Sequence, residues 1–436
     1  MQACAVSQAD GMLSETPASP ARGKVRNAAL SAEERNTMKQ IVIVGAGLAG
    51  YTATREFRKL DKTTPLIIIT ADDGGFYSKP MLSNAFAQNK RAEQLVTQTA
   101  AQMAQQVSAN IMTGTRVINI DAAAKTVDTT AGTYEYGKLI IAVGAQPIRL
   151  PIAGDAADQI LSVNHISDYA AFRTSVSRFG EGGVARVTIL GAGLIGCEFA
   201  DDLSGAGHVV TLIDPNPVPL SALAAPALSE GLREALAAKE VALQLGTTAT
   251  AVNRAGDALR VTLANGTSFE TDIVLSAVGL RPDLRLAQAA NLSTGRGIMV
   301  DITGRTSATD VYALGDCAEY TSEGGTRTLP YIAPLMTAAR AIARTLTGEP
   351  TAIDLKAAPV IVKTPSYPLA LVPPPLHAIA GGSWHAEQNG TRTICRFYDG
   401  AGVMCGFGVS PQEATIRAEL LAALGSANSG AANIAA

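Results

Sequence analysis

The sequence predicts an α/β protein with two Rossmann-like dinucleotide-binding domains, the second inserted into the first, and a small α+β domain at the C-terminal end. Two observations predict the large domains. A glycine-rich turn between an apolar strand and a helical pattern occurs twice, and further apolar strands follow each copy. A third observation predicts the small domain, because short alternating strands separated by Pro and Gly begin after about residue 350.

The first glycine-rich turn belongs to a βαβ unit. Residues 41–44 and 66–69 are apolar strands with a helical pattern between them. Gly45 makes the turn after the first strand, Gly47 lets the backbone approach a pyrophosphate, and Gly50 lets helix and strand pack closely. Asp72, just after the second strand, is the candidate for the ribose of this nucleotide, and a solvated turn is the alternative.

The second unit repeats the pattern with strands at 187–190 and 209–213. Its turn reads Gly191-Ala192-Gly193-Leu194-Ile195-Gly196. Asp214 follows the second strand, where a carboxylate accepts a hydrogen bond from a ribose 2′-hydroxyl. Because no Arg or Lys follows through Ser221 to receive a 2′-phosphate, the sequence favours NADH over NADPH.

Further apolar strands at 139–143 and 273–278 each end in a Val-Gly step, which suits the return crossings between two nested domains. We expect a flexible extension at 1–37, one large domain at 38–149 and 280–350, a second at 150–279, and the C-terminal domain at 351–436. The extension contains charged residues and prolines instead of an apolar signal-peptide core.

The composition restricts the partners and the location. Hydrophobic residues make up 47 % and charged residues 17 % of the 436 residues, which fits a folded protein of several domains. The 35 Lys and Arg residues against 38 Asp and Glu residues give no basic excess for nucleic acid. No stretch has the length of about 18 apolar residues that spans a membrane. We therefore expect a soluble protein without nucleic-acid or membrane partners. We also expect a monomer, because no long apolar helix face remains unassigned.

The cysteines and histidines point away from thiol, disulfide and metal chemistry. The five cysteines form no CxxC pair, which favours a reducing cytoplasm. Residues 77–86 contain no cysteine, and Cys197 and Cys317 are expected to be small buried side chains. The four histidines have no metal-ligand spacing, so no metal is expected.

Three further segments identify a family. They read Thr309-Asp310-Val311-Tyr312-Ala313-Leu314-Gly315-Asp316, Phe76-Tyr77-Ser78-Lys79-Pro80-Met81-Leu82-Ser83 and Val362-Lys363-Thr364-Pro365. With the two turns, they resemble the pyridine-nucleotide flavoprotein reductases, and more narrowly the bacterial NADH:rubredoxin reductases. The resemblance implies that the first unit binds FAD, the second binds NADH, and Asp316 bonds the ribityl chain of FAD.

The turns and the resemblance together predict two sets of cofactor contacts. The FAD contacts are expected at Gly45, Gly47, Leu48, Ala49, Gly50, Ala71, Asp72, Lys79, Pro80, Val117, Ala142, Gly144, Glu198, Asp316, Ile332 and Lys363. The NAD contacts are expected at Gly191, Gly193, Leu194, Ile195, Gly196, Asp214, Val278 and Gly279. The resemblance implies no catalytic residue beyond the flavin, with Lys79 and Glu198 as possible tuning residues.

One departure leaves the tuning pair open. The ferredoxin-reductase relatives carry a Lys after the Leu-Ser pair, whereas Leu82-Ser83 is followed here by Asn84. Lys79 is one candidate to reach Glu198 instead. A helical run at 335–346, preceded by prolines, would place its positive N-terminal end near Ile332, where it could stabilise negative charge on a reduced flavin.

The resemblance implies an enzyme, an NADH:rubredoxin oxidoreductase that passes electrons through FAD to rubredoxin one at a time. Lys79, Lys363 and Arg340 are candidate positive charges for docking this acceptor. Alternatives are a reductase for a [2Fe–2S] ferredoxin of an oxygenase system, a reductase for a flavorubredoxin that handles nitric oxide, and a diaphorase or NADH oxidase. A redox-sensing flavoprotein interaction module is the alternative from a different class.

Overall fold

A computed structural model of the chain describes residues 40–179, 183–322 and 325–427. The expected extension at 1–37 lies outside these residues. Within the described ranges, no helix is both long and apolar enough to cross a membrane.

The first part of the chain alternates short strands with helices. Its elements are β1 (Ile41–Val44), α1 (Leu48–Leu60), β2 (Leu66–Ile69), β3 (Phe76–Tyr77), a 3₁₀ turn (Lys79–Ser83), α2 (Ala92–Leu95), β4 (Val96–Gln98), α3 (Ala100–Val107), β5 (Asn110–Met112), β6 (Val117–Asp121), β7 (Thr126–Thr129), β8 (Gly132–Glu135), β9 (Lys138–Ile141) and β10 (Ala145–Pro147).

The middle part contains the second glycine-rich turn. Its elements are a 3₁₀ turn (Ala157–Gln159), α4 (Ile166–Ser177), β11 (Arg186–Leu190), α5 (Leu194–Gly205), β12 (Val209–Asp214), α6 (Pro226–Ala238), β13 (Ala242–Leu245), β14 (Ala249–Ala255), β15 (Ala258–Leu263), β16 (Ser268–Thr271), β17 (Ile273–Ser276) and β18 (Leu280–Pro282).

The last part returns to the first sheet and then forms a separate one. Its elements are α7 (Arg285–Ala289), β19 (Ile298–Val300), β20 (Val311–Ala313), a 3₁₀ turn (Gly315–Cys317), β21 (Ala318–Ser322), β22 (Gly325–Thr328), α8 (Ile332–Leu346), β23 (Val360–Val362), β24 (Leu369–Val372), α9 (Leu376–Ile379), β25 (Ser383–Asn389), β26 (Arg392–Tyr398), β27 (Met404–Ser410) and α10 (Ala414–Ala422).

The predicted fold class is confirmed by the sheet topology. One parallel sheet has the order β20-β9-β1-β2-β5, and a second parallel sheet has the order β13-β12-β11-β17. Since β20 joins the first sheet after the whole second sheet has been formed, the second unit is inserted into the first. The C-terminal strands form an antiparallel sheet in the order β23-β24-β27-β26-β25.

The central strands of the two parallel sheets are buried on both faces, as their apolar runs predict. Every residue of β1 is buried, and so are residues 187–190 of β11. Each of these strands ends at a glycine-rich turn. Because ligands bind at the carboxyl ends of strands in open α/β sheets, the fold places both turns where a nucleotide can bind.

One helix begins earlier than its sequence pattern predicts. Helix α8 starts at Ile332, with Tyr331 as its N-cap residue, whereas the pattern predicts a start at residue 335. Pro334 therefore lies inside the first turn of the helix. This is allowed because the first backbone N–H groups of a helix have no intrahelical acceptor, so a missing N–H costs nothing there.

The two glycine-rich turns share one backbone geometry. Gly45 and Gly191 have φ values of +111° and +101°, in the region that favours glycine. A Cβ on Gly50 would lie 2.0 Å from the carbonyl oxygen of Gly45, and the corresponding distance at Gly196 is 1.8 Å. A Cβ on Gly47, in contrast, meets nothing within 4 Å in the described part of the chain. The last glycine of each turn is thus needed for packing, and the middle one leaves open space.

Two glycines of the first turn should respond differently to replacement by alanine. Gly50→Ala should lower the unfolding midpoint of the ligand-free protein, because relieving such an overlap costs about 1–3 kcal/mol. Gly47→Ala is the matched control and should not lower it, since this residue has an ordinary φ of −76° and free space around its Cβ. Thermal unfolding of the two variants provides the measurement. Equal losses of stability in both would contradict the argument.

Candidate active site

A cavity of about 3150 Å³ connects the two glycine-rich turns. Ordinary sites for one small molecule have about 300–1,000 Å³. The cavity therefore has room for two dinucleotides. Residues from both parallel sheets and from the C-terminal domain line it, so all three parts of the chain contribute to one site.

The first turn presents backbone and open space to the cavity. The Gly45 N–H donates to the Ile69 carbonyl at 2.9 Å, which ties the turn to the neighbouring strand. Gly47 is the N-cap residue of α1, so the positive end of this helix faces the cavity. The space beside Gly47 and the helix end fit a pyrophosphate group.

The second turn is held by the carboxylate predicted for the ribose. Asp214 Oδ2 accepts from the Ala192 N–H at 2.6 Å, and Oδ1 accepts from the backbone and side-chain N–H groups of Asn216, both at 2.8 Å. Asp214 is buried but still lines the cavity. It therefore fixes the turn in the protein itself, and its contact with the ribose stays a prediction.

Asp72 is also engaged by protein groups. Its carboxylate accepts from the Thr70 hydroxyl at 2.6 Å and from the Gly74 N–H at 3.0 Å, and it lies 3.0 Å from His165 Nε2. These hydrogen bonds outweigh the effect of burial and lower the pKa of Asp72 to about 2. The hydrogen bond to Asp72 in turn raises the pKa of His165. The pair is an ion pair when His165 is protonated.

Glu198 pairs with Lys363, and the suggestion that Lys79 reaches Glu198 is wrong. Glu198 is 0 % exposed. Its Oε2 accepts hydrogen bonds from Lys363 Nζ and from the Ser83 hydroxyl. Its Oε1 accepts from the backbone N–H of Lys363 at 2.9 Å. Lys79 instead lies 3.6 Å from Asp316. We call the group of Glu198, Lys363 and Ser83 the Glu198 cluster.

Asp316 lies where the segment 309–316 turns toward the first glycine-rich turn. Gly315 has a φ of +77°, and a Cβ on it would lie 2.8 Å from the Cβ of Ala49. The Gly315 N–H donates to the buried Tyr320 hydroxyl at 3.0 Å. This close approach places Asp316 in the lining of the cavity beside α1.

The thiols of the described cysteines have poor properties for redox or nucleophilic chemistry. Cys197 and Cys317 are buried, as predicted, and burial raises the pKa of both thiols, that of Cys317 to about 12. Cys405 lies in the cavity lining, and its pKa is also raised by burial. Within the described ranges, no group of three His, Cys, Asp or Glu side chains could hold a metal ion.

The cavity brings together the predicted site residues, with two exceptions. Gly50 and Gly196 lie behind the turns, where they contact the carbonyls of Gly45 and Gly191, and the other predicted residues line the cavity. Their contacts with the cofactors stay predictions.

Sequence reasoning missed His165, which was considered only for metal binding and nucleophilic catalysis. It also missed Asp202, whose carboxylate binds the backbone of a segment far away along the chain. No local motif carried a signal for either contact.

Comparisons with known proteins agree with this geometry. The family model for pyridine nucleotide-disulphide oxidoreductases matches residues 39–343, and that for the rubredoxin binding C-terminal domain matches residues 352–424. A rubredoxin-NAD(+) reductase of Alcanivorax borkumensis is 43 % identical over 86 % of this chain and 95 % of its own length. A nitric oxide reductase FlRd-NAD(+) reductase of Aeromonas salmonicida is 36 % identical over 90 % of this chain and 98 % of its own.

A solved structure shows the same fold. The covalent putidaredoxin reductase–putidaredoxin complex superposes with a TM-score of 0.79 at 22 % identity, over 89 % of this chain and 94 % of the matched chain. The predicted cofactors, FAD and NADH, agree with the matched family. The chain therefore belongs to the pyridine nucleotide-disulphide oxidoreductase family, as a relative of the rubredoxin-NAD(+) reductases that carries a rubredoxin binding C-terminal domain.

Proposed function

We propose that the protein is an NADH:rubredoxin oxidoreductase that passes electrons through FAD to rubredoxin one at a time. The observation that carries this proposal is the cavity, which joins two dinucleotide turns and is also lined by the rubredoxin binding domain. Bound FAD supplies the essential chemistry, since a flavin accepts electrons in pairs from NADH and releases them singly. The protein contributes binding, orientation and electrostatics.

The residues of the cavity suit the two cofactors at opposite ends. The turn at residues 45–50, together with Lys79 and Asp316, would hold FAD, and the turn at residues 191–196 with Asp214 would hold NADH. Helix α8 is 15 residues long, and its first residue, Ile332, lines the cavity. The N-terminal end of this helix would favour negative charge on a reduced cofactor.

The Glu198 cluster can set the electrostatics of the part of the cavity that it lines. A carboxylate that is 0 % exposed is stable only with a cation or hydrogen-bond donors, and here Lys363 and Ser83 supply both. The cluster combines a residue of α5 with one from the Lys79–Ser83 turn and one that follows β23. We propose that its Glu198–Lys363 pair is the tuning pair that the sequence left open.

We propose an acceptor surface with apolar side chains, because the three cations that were candidates for docking are all engaged by carboxylates. Lys79 and Lys363 are held in ion pairs, and Arg340 is exposed but lies 4.0 Å from Glu56 and outside the cavity lining. Seven of the exposed large apolar side chains in the described part of the chain line the cavity. Two of them, Ile361 and Leu376, belong to the C-terminal domain, and we call these two together with Ile332, the first residue of α8, the apolar rim.

A small iron protein that docks here would bury the apolar rim, with a modest effect of salt on its binding. Rubredoxin is our first choice because of the C-terminal family match. A flavorubredoxin is the second candidate, since the Aeromonas salmonicida relative covers almost the same length.

We further propose a cytoplasmic location. The described cysteines are free thiols, which fits a reducing compartment. The monomeric state stays a prediction.

Removing either partner of the buried pair should slow electron entry. Lys363→Met leaves the Glu198 carboxylate without its cation, and Glu198→Gln leaves Lys363 without its anion, so each should slow reduction of the bound flavin by NADH about tenfold or more. The double variant should be no slower than the slower single variant, because the pair acts as a unit. Stopped-flow absorbance provides the rates. Additive losses in the double variant would contradict a coupled pair.

The apolar rim can be tested on the short helix α9. Leu376 is 84 % exposed and lines the cavity, so Leu376→Ser should leave the fold intact. It should raise the KM for rubredoxin about tenfold, because docking would bury less of an apolar side chain whose full burial is worth about 1.5–3 kcal/mol. Flavin reduction by NADH alone should be unchanged. Ile379→Ser is the matched control, because Ile379 is 50 % exposed on the same helix and lies outside the cavity lining. An equal rise of KM in both variants would exclude the rim as the docking surface.

The pair of His165 and Asp72 should make stability depend on pH. The pKa of His165 is higher in the folded protein than its ordinary value of 6.5, so protonation of His165 stabilises the fold. This stabilisation is fully present below pH 6.5 and is lost as the pH rises through the raised pKa. The pKa of Asp72 is lowered from 3.8 to about 2, so its ionised form stabilises the fold above pH 3.8. This stabilisation is lost as the pH falls through about 2. The unfolding midpoint of His165→Gln should therefore fall furthest below that of the unmodified protein at about pH 4–6.5. A difference that stays constant up to pH 9 would disprove the ion pair.

A further inference from the structure

Helix α5 carries three buried carboxylates on one face. Glu198, Asp201 and Asp202 are 0, 2 and 5 % exposed. Asp201 and Asp202 follow Glu198 by three and four residues, so each of them is a neighbour of Glu198 along the helix surface. Since a buried carboxylate is costly unless it accepts hydrogen bonds, the partners of each one indicate what it holds in place.

Asp202 binds the backbone next to the flavin-side turn. Its Oδ2 accepts from the Phe86 N–H at 2.7 Å, and its Oδ1 accepts from the Ala87 N–H at 3.1 Å. These two residues lie just beyond the Lys79–Ser83 turn along the chain. Both oxygens of Asp202 are therefore used to hold backbone of the first part of the chain against the helix of the second.

Asp201 is its neighbour and binds a different segment. One of its oxygens accepts from the Ser366 N–H at 3.2 Å, which belongs to the C-terminal part of the chain. Its other oxygen has no hydrogen-bond partner among the described residues. Asp201 is thus a buried carboxyl side chain like Asp202, but it accepts one hydrogen bond instead of two, and this bond comes from the C-terminal part of the chain.

Asp202 acts only through other residues. The cavity lining includes Lys79, Ser83 and Glu198, whereas Asp202 lies outside it. Helix α5 starts at the turn that we assign to NADH, and the segment held by Asp202 leads back to Lys79 and Ser83. The two hydrogen bonds of Asp202 and the hydrogen bond from Ser83 to Glu198 connect the Lys79–Ser83 turn with α5. They therefore fix the distance between the side of the cavity lined by this turn and the side lined by α5.

We propose that Asp202 is a positioning residue for electron entry, which fixes the Lys79–Ser83 turn against α5 and so sets the placement of the FAD side of the cavity relative to the NADH side. This inference rests on the proposed function, since it assigns FAD and NADH to the two ends of the cavity. Charge-assisted hydrogen bonds to backbone N–H groups are among the stronger protein hydrogen bonds, which suits them to this role.

The test compares Asp202→Asn with Asp201→Asn in the FAD-loaded protein. An Asn at 202 has one acceptor oxygen, and its NH₂ group would face a backbone N–H, so one of the two contacts is lost. An Asn at 201 can keep its bond to Ser366 and place the NH₂ group where the unpartnered oxygen was. The two variants remove the same charge from the same helix, and only the first should move the Lys79–Ser83 turn.

Two readouts are measured for each variant. Hydrogen exchange of the peptide spanning residues 79–87 should become about tenfold faster in Asp202→Asn. Flavin reduction at saturating NADH should slow about 10- to 100-fold, the effect of a displacement of about 1 Å, and the KM for NADH should stay within about twofold because the second turn is untouched. Asp201→Asn should match the unmodified protein in hydrogen exchange and in the kinetics of flavin reduction.

Other outcomes overturn the proposal. Equal effects of the two variants would indicate a loss of charge or of general stability. Faster exchange without slower reduction would show that the segment has no positioning role. If Asp202→Asn does not fold, Asp202→Glu replaces it, since it keeps the charge and moves the carboxylate by one methylene, and it should change both readouts in the same direction. A failure of the unmodified protein to be reduced by NADH would refute the proposed function, whereas the exchange comparison would still test the contact.

Discussion

The buried carboxylate of Glu198 is the constraint on which the rest of the site depends. A fully buried negative charge needs partners, and this one takes them from two segments that lie far away along the chain. Ser83 comes from the first part of the chain and Lys363 from the edge of the C-terminal sheet. Because Glu198 itself lies in the helix that follows the second glycine-rich turn, satisfying one carboxylate holds three parts of the protein around a shared cavity.

The parallel sheets explain why that cavity has two nucleotide ends. Each glycine-rich turn stands at the carboxyl end of a buried strand and starts a helix, so each provides open backbone and the positive end of a helix to an anionic group. The carboxylates that were predicted to bind the ribose groups also make hydrogen bonds to other residues of the protein. Asp214 holds the second turn, and Asp72 pairs with His165. The site is thus partly organised by contacts that exist before any cofactor binds.

The sequence was sufficient for contacts that are local and insufficient for contacts that span the chain. The strands at 41–44 and 66–69 were predicted to the residue, because continuous apolar runs next to glycine turns are typical of buried parallel strands. The start of α8 was missed by three residues, since prolines in a first helical turn look like a boundary. The partner of Glu198 was also missed, because its choice between Lys79 and Lys363 depends on tertiary packing and on the position of β23.

The most direct test measures reduction and reoxidation of the flavin in the purified protein. The protein is reduced with NADH in a stopped-flow instrument, and reoxidation of its flavin is then recorded with a rubredoxin and, separately, with a [2Fe–2S] ferredoxin. We expect flavin absorbance in the purified protein, fast bleaching by NADH, and faster reoxidation by rubredoxin than by the ferredoxin. The absence of flavin absorbance would contradict the assignment of the cavity, and faster reoxidation by ferredoxin would contradict the assignment of the acceptor.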